Sequence, residues 1–446
     1  MALIQINKTV DVPDSFFEPR IFSDEVTGSD VAAVVADVLR QVRQKGDVAL
    51  KTFSFSFDKV ELDSFQIDSA DLDFAVESLK KENPPLYAAL CRSRDLALRF
   101  ARRQRKSFDD FEEELEPGLF TGQRNIPVEC AGLYVPAGRF PLLSSVVMTS
   151  QPALAAGCEE VVLCTPPRPH PDGSKKPYAD KGIMAAAALC GVDRVFACGG
   201  AQAIAAMAYG TESIPKCDVV VGPGNKFVAE AKRQLYGSVG IDMLAGPSEV
   251  FIIADNSANP EWVAADMLAQ AEHDIDAQAI LATPDSDFAE KVVKELERQI
   301  SLLDIAETAR CSLERNGRII ITDSLDQAAL IANQKAPEHL ELALNEGSNL
   351  NRISVVVRNY GSLFLGHGSA EVLGDYAAGL NHTLPTSSTA RFTGGLSVRC
   401  FLKTVTTLRV EQDSQGQQAS VAAAEQLGIA EGLCAHAQAA RIRYKK

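Results

Sequence analysis

The chain has 446 residues, of which 46% are hydrophobic and 23% charged, and its formal net charge is −15. These values indicate a globular protein of two or three domains, because a single core rarely grows beyond about 250–300 residues. The negative charge argues against nucleic-acid or anionic-membrane partners, which require basic surfaces. No apolar run approaches the ~18 residues that span a bilayer, and no signal peptide is evident.

The ten cysteines contain no C-x-x-C pair, and several lie inside apolar runs such as VVLC (161–164). In a chain of this size such residues are typical of reduced, buried thiols. Disulfides are rare in reducing compartments, so the sequence predicts a cytoplasmic protein.

The predicted elements begin with an amphipathic helix over residues 29–46, and charged helical sequence follows to about residue 105. From residue 126 short apolar strands alternate with helices, which is typical of a parallel sheet with crossover helices. The predicted strands are 131–135, 160–164, 193–197 and 217–221, and the helices are 143–156, 179–190, 201–208 and 226–235.

A second run of the same kind starts at residue 249, and a pair of helices, 418–427 and 431–443, ends the chain. We therefore predict an α/β fold with two similar Rossmann-like, incomplete doubly wound domains, an N-terminal arm and a helical C-terminal tail. The second run has strands at 249–255, 278–283 and 317–322 and helices at 260–272, 286–300 and 324–334.

Six histidines are present, and four of them lie in compact polar motifs. In QAEH, Gln270 and His273 are spaced i, i+3 and project from one helix face. An amide oxygen and an imidazole on one face can bind a divalent metal, and neutral imidazole suits zinc. The alternative is a histidine that caps a helix C-terminus. We interpret His170 as a solvated loop residue and His367 as a loop residue without a role.

Two further motifs combine a carboxylate with an imidazole. In APEHLEL, Glu338 and His339 can divide acid–base work between two steps, or they can form a surface ion pair. In GDYAAGLNHTLPT, Asp375 can complete a metal site and His382 can contact a substrate. An Asx-turn is the ordinary alternative for Asp375.

The last polar motif, EGLCAH, places Glu431 and His436 in the C-terminal helical pair, where solvated helix residues are the alternative. The glycine turns GGAQA (199–203) and GPGN (222–225) match neither a Walker motif nor G-x-G-x-x-G. Both turns can present backbone N–H groups to a dinucleotide phosphate at a helix N-terminus.

Taken together, the motifs resemble the histidinol dehydrogenase family from about residue 28 to the C-terminus. The family's ordered motifs are GLYVPAG, GGAQAIAAMAYGTESIP, VGPGN, AGPSEV, QAEH, APEHLEL, GDYAAGLNHTLPT and EGLCAH. The resemblance implies NAD-linked, four-electron oxidation of L-histidinol to L-histidine through a bound aldehyde, in the last steps of histidine biosynthesis.

The resemblance also implies a role for each matching residue. One Zn²⁺ per subunit would be bound by Gln270, His273, Asp375 and His436, and Glu338 and His339 would be the catalytic pair. The tail would reach the partner's site in a homodimer, so that Glu431 and His436 act across the interface. Substrate contacts would be Ser248, Gln270, His273, His339, Asp375, His382, Glu431 and His436, and NAD contacts would be Tyr134, Gln202 and Asn225.

On this basis we expect an N-terminal arm (1–27) and a first α/β domain made of 28–125 and 238–395, which carries the metal and catalytic residues. A second, NAD-binding α/β domain would span 126–237, and residues 396–446 would form the tail that reaches the partner subunit.

Some positions depart from the family's usual pattern: Ala137, the segment 138–157, Leu380 and FTGGL (392–396). Similar features occur in relatives that oxidise sulfopropanediol, so a sulfonated diol or another small amino alcohol is the alternative substrate. A non-catalytic dinucleotide- or metal-binding protein is the alternative of a different class.

Overall fold

The computed structural model describes residues 3–19, 30–137, 141–304 and 306–443. Within these ranges no helix combines the length and the apolarity needed to cross a membrane.

Up to residue 127, the described residues form one strand, four α-helices and a β-hairpin, besides short 3-10 and π-helical segments. The first helix confirms the predicted helix over 29–46, and the helical sequence ends at residue 105, as predicted. The hairpin was not predicted, because its first strand is exposed along its whole length and so lacks an alternating pattern. These elements are β1 (Gln5–Lys8), α1 (Asp30–Lys45), α2 (Asp47–Phe53), α3 (Ser69–Glu82), α4 (Pro84–Arg105), β2 (Phe111–Glu116) and β3 (Leu119–Pro127).

Next come five parallel strands joined by helices, which form sheet I. Each predicted strand and helix of this region is present within a few residues. The strands are β4 (Cys130–Tyr134), β5 (Glu160–Thr165), β6 (Arg194–Ala197), β7 (Val219–Val221) and β8 (Gly240–Ile241), and the helices are α5 (Leu143–Ala156), α6 (Lys181–Cys190), α7 (Gly200–Tyr209) and α8 (Lys226–Leu235).

The second α/β run forms sheet II, whose central strands β9 and β10 are buried on both faces and therefore read as largely apolar runs. Its strands are β9 (Glu249–Ala254), β10 (Gln278–Thr283), β11 (Arg318–Ile321), β12 (His339–Ala343) and β13 (Ser362–Leu365), and its helices are α9 (Pro260–Ala271), α10 (Ser286–Ile300), α11 (Ala306–Asn316), α12 (Leu325–Lys335), α13 (Ser348–Val356) and α14 (Glu371–Tyr376).

The two sheets share one strand order. Sheet I runs β6-β5-β4-β7-β8 and sheet II runs β11-β10-β9-β12-β13, with β1 added in parallel beside β11. In each unit the order is third, second, first, fourth, fifth, which is the Rossmann order without its last strand. The prediction of two similar, incomplete doubly wound units is therefore confirmed.

The helices before residue 125 pack on sheet I, whereas the expected first domain groups 28–125 with 238–395. Helix α1 contacts α7 and α8, α3 contacts α6, and α4 contacts α5. Their apolar residues share one core with sheet I. An amphipathic pattern shows which face of a helix is buried but not which sheet buries it. Strand β8, which lies after residue 238, pairs with β7 in sheet I.

The C-terminal segment combines a strand with two helices. Strand β14 (Leu402–Val410) pairs antiparallel with β3 and, with β2, completes the three-stranded sheet III. Helices α15 (Gln415–Ala430) and α16 (Cys434–Arg441) follow, and α15 contacts β2 and β3. The predicted helical pair is present, although α15 begins three residues earlier.

A seven-residue linker (242–248) joins β8 of sheet I directly to β9 of sheet II. Because the chain leaves sheet I at the carboxyl end of a strand and enters sheet II at the amino end of another, those two sheet edges face each other. The site lies between them.

Candidate active site

A cleft of about 230 Å³ separates the carboxyl edge of sheet I from the amino edge of sheet II. Seven of the predicted site residues line it, together with residues 222–224 after β7 and residues 142–145 at the start of α5. These seven are Ser248, Gln270, His273, Glu338, His339, Asp375 and His382. Parallel sheets usually bind ligands at their carboxyl edges, and sheet I follows that rule, whereas sheet II contributes its opposite edge.

Glu338 and His339 stand at the start of β12 and are nearly inaccessible, with 5% and 3% of their surfaces exposed. The main chain of Glu249, at the start of the neighbouring β9, holds both residues. The Glu249 N–H donates to Glu338 Oε2 at 2.9 Å, and the His339 Nδ1 atom lies 3.2 Å from the Glu249 carbonyl oxygen. The alternative of a surface ion pair is wrong, because both side chains are buried.

The electrostatics of this pair are set by burial and by neighbouring carboxylates. Burial raises the pKa of the Glu338 carboxyl to about 8, against the opposing effect of His339. Burial lowers the pKa of His339, but the carboxylates of Glu338, Asp375 and Glu371 outweigh it and hold that pKa well above its usual value. A carboxyl group with a pKa of about 8 can hold or release its proton near neutral pH, which suits general acid–base chemistry.

Gln270, His273 and Asp375, three of the predicted metal ligands, line the cleft together with His339. Asp375 Oδ1 lies 3.4 Å from His339 Nε2. The Gln270 side chain is 1% exposed, and its Nε2 atom has no hydrogen-bond partner among the described residues. Since a flip of the amide group exchanges its oxygen and its nitrogen, this unpartnered end can present its oxygen to a ligand.

Three donors from a helix end and a short helix are too few for a closed tetrahedral site. In the described ranges no group of three or more histidine, cysteine, aspartate or glutamate side chains converges for a metal. Of the four predicted ligands, Gln270, His273 and Asp375 line the cleft of their own chain and His436 does not.

His382 lies on the wall opposite α9. Its Nε2 atom is 3.0 Å from the hydroxyl oxygen of Ser144, in the first turn of α5, so the imidazole bridges the two α/β units. Ser248 is the last residue of the linker, and its carbonyl oxygen accepts a hydrogen bond from the Gln278 N–H. Both side chains border the space in front of His339.

Tyr134, Gln202 and Asn225 lie together at the carboxyl edge of sheet I. The Tyr134 hydroxyl, at the end of β4, accepts a hydrogen bond from the Gly200 N–H at the start of α7. Gln202 lies buried in the first turn of α7. The Asn225 side chain accepts from the Phe227 and Val228 N–H groups and so caps α8. The N-termini of α7 and α8 therefore both lie at the carboxyl edge of sheet I.

The turn after β7 requires glycine at residue 222. Gly222 has φ of +118°, and a Cβ atom there would lie 2.1 Å from the Tyr134 carbonyl oxygen. The turn after β7 therefore packs directly against the main chain of β4. Its residues 222–224 line the cleft.

Replacing Gly222 with alanine is expected to lower the free energy of unfolding by more than about 3 kcal/mol, because a strained φ and a main-chain clash coincide. Gly237 is the matched control, since it has φ of +94° but a Cβ atom added there would meet no other atom within 4 Å. Gly237→Ala should lose only about 1 kcal/mol. Urea unfolding of both variants measures the difference, and equal losses would contradict the close approach.

Glu431 and His436 do not join the cleft within one chain. Glu431 ends α15 and His436 lies in α16, and both side chains are exposed. Among the described residues that line the cleft, neither of them occurs.

The other two histidines lie away from the cleft. His170 is not solvated as predicted: its side chain is 10% exposed, Nδ1 lies 2.6 Å from Asp172 Oδ1, and the ring packs edge-on against Tyr178. His367 contacts Ser257 and Asn345 at 3.3 and 3.2 Å.

Sequence reasoning missed Glu371, a buried carboxyl whose Oε2 atom lies 3.8 Å from His339 Nδ1. Its burial raises its pKa well above the usual value, against the opposing effect of His339. The available signal was its i, i+4 spacing from Asp375 in α14, which places both carboxyl groups on one helix face.

Comparison with known proteins agrees with this geometry. Residues 23–444 match the family described as histidinol dehydrogenase. The histidinol dehydrogenase of Streptococcus mutans is 42% identical, with 94% of this chain and 93% of that protein covered. That of Hydrogenovibrio crunogenus is 40% identical over 99% of this chain and its own full length.

Among solved structures, the histidinol dehydrogenase of Elizabethkingia anophelis superposes with a TM-score of 0.89 at 34% identity, covering 99% of this chain and 98% of that one. Its fold and those two sequences extend the likeness over both sheets, the cleft and the C-terminal segment. The chain belongs to the histidinol dehydrogenase family and is a dehydrogenase.

Proposed function

We propose that this protein oxidises L-histidinol to L-histidine through histidinaldehyde, with two molecules of NAD. The observation that carries the proposal is the buried Glu338–His339 pair, which faces Gln270, His273 and Asp375 across one cleft. An alcohol-to-acid oxidation needs a base in each of two steps, and this arrangement supplies adjacent titratable groups beside a substrate-sized space.

Zn²⁺ fits the donor set of one amide, one carboxylate and imidazole nitrogen. We propose Gln270, His273 and Asp375 as ligands, because the Gln270 amide is buried in the cleft wall with an unpartnered atom. His436 of a second subunit would supply the fourth ligand. When bound, zinc would hold and orient the imidazole and amine of the substrate as a template.

NAD would bind at the carboxyl edge of sheet I, in the unit that spans 126–237, against Tyr134, Gln202 and Asn225. The turn of Gly222, Pro223 and Gly224 supports this placement, because it lines the cleft. The N-termini of α7 and α8 lie at this edge, where the positive end of a helix dipole suits a pyrophosphate. When bound, NAD accepts hydride from the substrate carbon.

The residues of the chain would move the protons. His339 takes the proton of the alcohol oxygen as the alcohol becomes an aldehyde. His339 releases that proton to solvent before the second step. Glu338, held by the Glu249 N–H at 2.9 Å, then helps to activate water that adds to the aldehyde, and His339 takes the proton of the hydrate hydroxyl. Substrate contacts with Ser248 and His382 would keep the reacting carbon in place.

A homodimer would complete each site. The exposed tail helices, α15 and α16, carry Glu431 and His436 away from the cleft of their own chain. The cleft in turn lacks one metal donor. We therefore propose that the tail of one subunit supplies Glu431 and His436 to the other subunit's site.

A cytoplasmic location is proposed on the state of the cysteines. All ten are free, including Cys130 and Cys217, whose sulfur atoms are 3.5 Å apart. Unpaired thiols are typical of a reducing compartment.

A sulfonated diol is the second candidate substrate, because part of the departing segment lines the cleft. Leu142, Ser144 and Ser145 belong to that segment, and its residues 138–140 lie outside the described residues. Leu380 and Gly395, in contrast, line a separate cavity behind the His382 loop. Positions that depart from the family's usual pattern therefore line one wall of the cleft.

Initial rates of NADH formation test the choice, with L-histidinol in one assay and 2,3-dihydroxypropane-1-sulfonate in the other. We expect turnover of L-histidinol, with two NADH formed for each histidine. Turnover of the sulfonated diol alone would overturn the proposed substrate. Inactivity on both, in a preparation with full zinc occupancy, would favour a non-catalytic binding protein.

A further inference from the structure

Among the described residues two lysines are buried, and each is paired with a carboxylate next to the cleft. The first is Lys335, the last residue of α12. Its Nζ atom lies 3.6 Å from Glu249 Oε1, and both side chains are fully inaccessible. The same Nζ atom donates to the Phe16 carbonyl oxygen at 3.3 Å and stands 5.2 Å from the centre of the Phe16 ring.

Glu249, the acidic partner in this ion pair, is also the residue whose main chain contacts both Glu338 and His339. Its N–H donates to Glu338 and its carbonyl oxygen lies against His339 Nδ1. A shift of Glu249 would therefore move both partners of the catalytic pair. The Glu249 carboxylate lies 3.6 Å from Lys335 Nζ, and Lys335 is bonded in turn to the N-terminal segment at Phe16.

The second pair is Lys232 of α8 with Asp242, at 2.7 Å, and their side chains are 4% and 1% exposed. Both partners bind the main chain of Gly222. Lys232 Nζ donates to the Gly222 carbonyl oxygen at 2.5 Å, and Asp242 Oδ2 accepts from the Gly222 N–H at 2.8 Å. The pair therefore sets the conformation of the turn at which NAD is proposed to bind.

The two carboxylates stand at the two ends of the same segment. Asp242 is the first residue of the linker between the sheets, and Glu249 follows its last residue, Ser248. Each ion pair ties one end of the linker to a helix, α8 on the side of sheet I and α12 on the side of sheet II.

We propose that Lys232–Asp242 and Lys335–Glu249 are positioning pairs with separate tasks: the first places the cofactor turn and the second places the acid–base pair. The inference rests on the proposed use of NAD at the edge of sheet I. A buried ion pair is often no more stabilising than apolar residues of the same volume. Its main-chain hydrogen bonds, in contrast, fix the position of the groups they reach.

Two charge-neutral double variants test the division of tasks. In Lys335→Met with Glu249→Gln, kcat should fall by about 30-fold or more while the KM for NAD stays within about threefold, since small misplacements of reacting groups are costly. In Lys232→Met with Asp242→Asn, the KM for NAD should rise by about 10-fold while kcat changes by less than about threefold. Each double variant removes one buried ion pair, so each serves as the control for the other.

Conservative variants keep the test decisive if a double variant does not fold. Lys335→Arg and Lys232→Arg retain the charge and change only its geometry, so the same split between kcat and KM should appear at about three- to tenfold. Wild-type kinetics in the folded variants, or the same parameter altered by both pairs, would overturn the proposal.

The rates are measured with whichever alcohol the wild-type protein oxidises. Failure of L-histidinol as a substrate would refute the proposed substrate, and leave the comparison between the pairs intact.

Discussion

His339→Asn should lower kcat by about 10³-fold, because general acid–base groups contribute roughly 10²–10⁴-fold. His339 is proposed to accept a proton in both oxidation steps, so both slow down. Asparagine keeps a polar side chain that can still bond to the Glu249 carbonyl, now 3.2 Å from Nδ1. The fold should therefore persist. Steady-state rates of NADH formation give kcat and the KM for NAD, and the latter should change little.

His367→Asn is the matched control for this substitution. His367 is also a partly buried histidine, bonded to Ser257 and Asn345 outside the cleft. Its replacement should leave kcat within about twofold, as expected for a side chain that contacts no reacting group. A loss of less than tenfold for His339→Asn would mean that another residue is the principal base.

His436→Ala should abolish zinc binding and turnover together. Substitution of a residue that merely orients a metal ligand lowers the metal affinity by roughly 10–100-fold. Loss of a ligand itself should therefore lower the metal affinity by more than about 100-fold. His436 is exposed within its own chain and makes no contact in the cleft that its removal could disturb. Zinc content by atomic emission, alongside thermal unfolding, separates metal loss from misfolding.

His170→Ala provides the control for zinc content, because His170 lies in the loop near Asp172 and Tyr178, away from the cleft. Its zinc content should equal that of the wild type. Undiminished zinc content in the His436→Ala protein would show that His436 is not a metal ligand.

Much of the α/β fold could be predicted because parallel strands buried on both faces leave continuous apolar runs. The runs that became β5 and β9 are examples, and the turns after them marked the helix starts. The sheet against which α1–α4 pack could not be predicted, because the apolar face of a helix does not indicate which element will cover it. The hairpin of β2 and β3 escaped because β2 has no buried face.

The candidate site could be predicted residue by residue but not as an assembly. Gln270, His339 and Asp375 are far apart in sequence, and each has an ordinary alternative when taken alone. What unites them is the meeting of two sheet edges across the 242–248 linker, which no local pattern encodes. The pairing of Lys335 with Glu249 was equally hidden, because a lone lysine at a helix end reads as a solvated charge.

The pairing of two inactive subunits tests most directly whether one active site is built from two chains. His339→Asn and His436→Ala proteins with different tags are co-expressed, and the mixed dimer is purified through both tags. In that dimer one site combines an intact His339 with the intact His436 of the other subunit. We expect about half the wild-type activity per dimer, because one of two equivalent sites is whole. A mixed dimer as inactive as its parents would show that the tail acts within its own chain and would contradict the shared site.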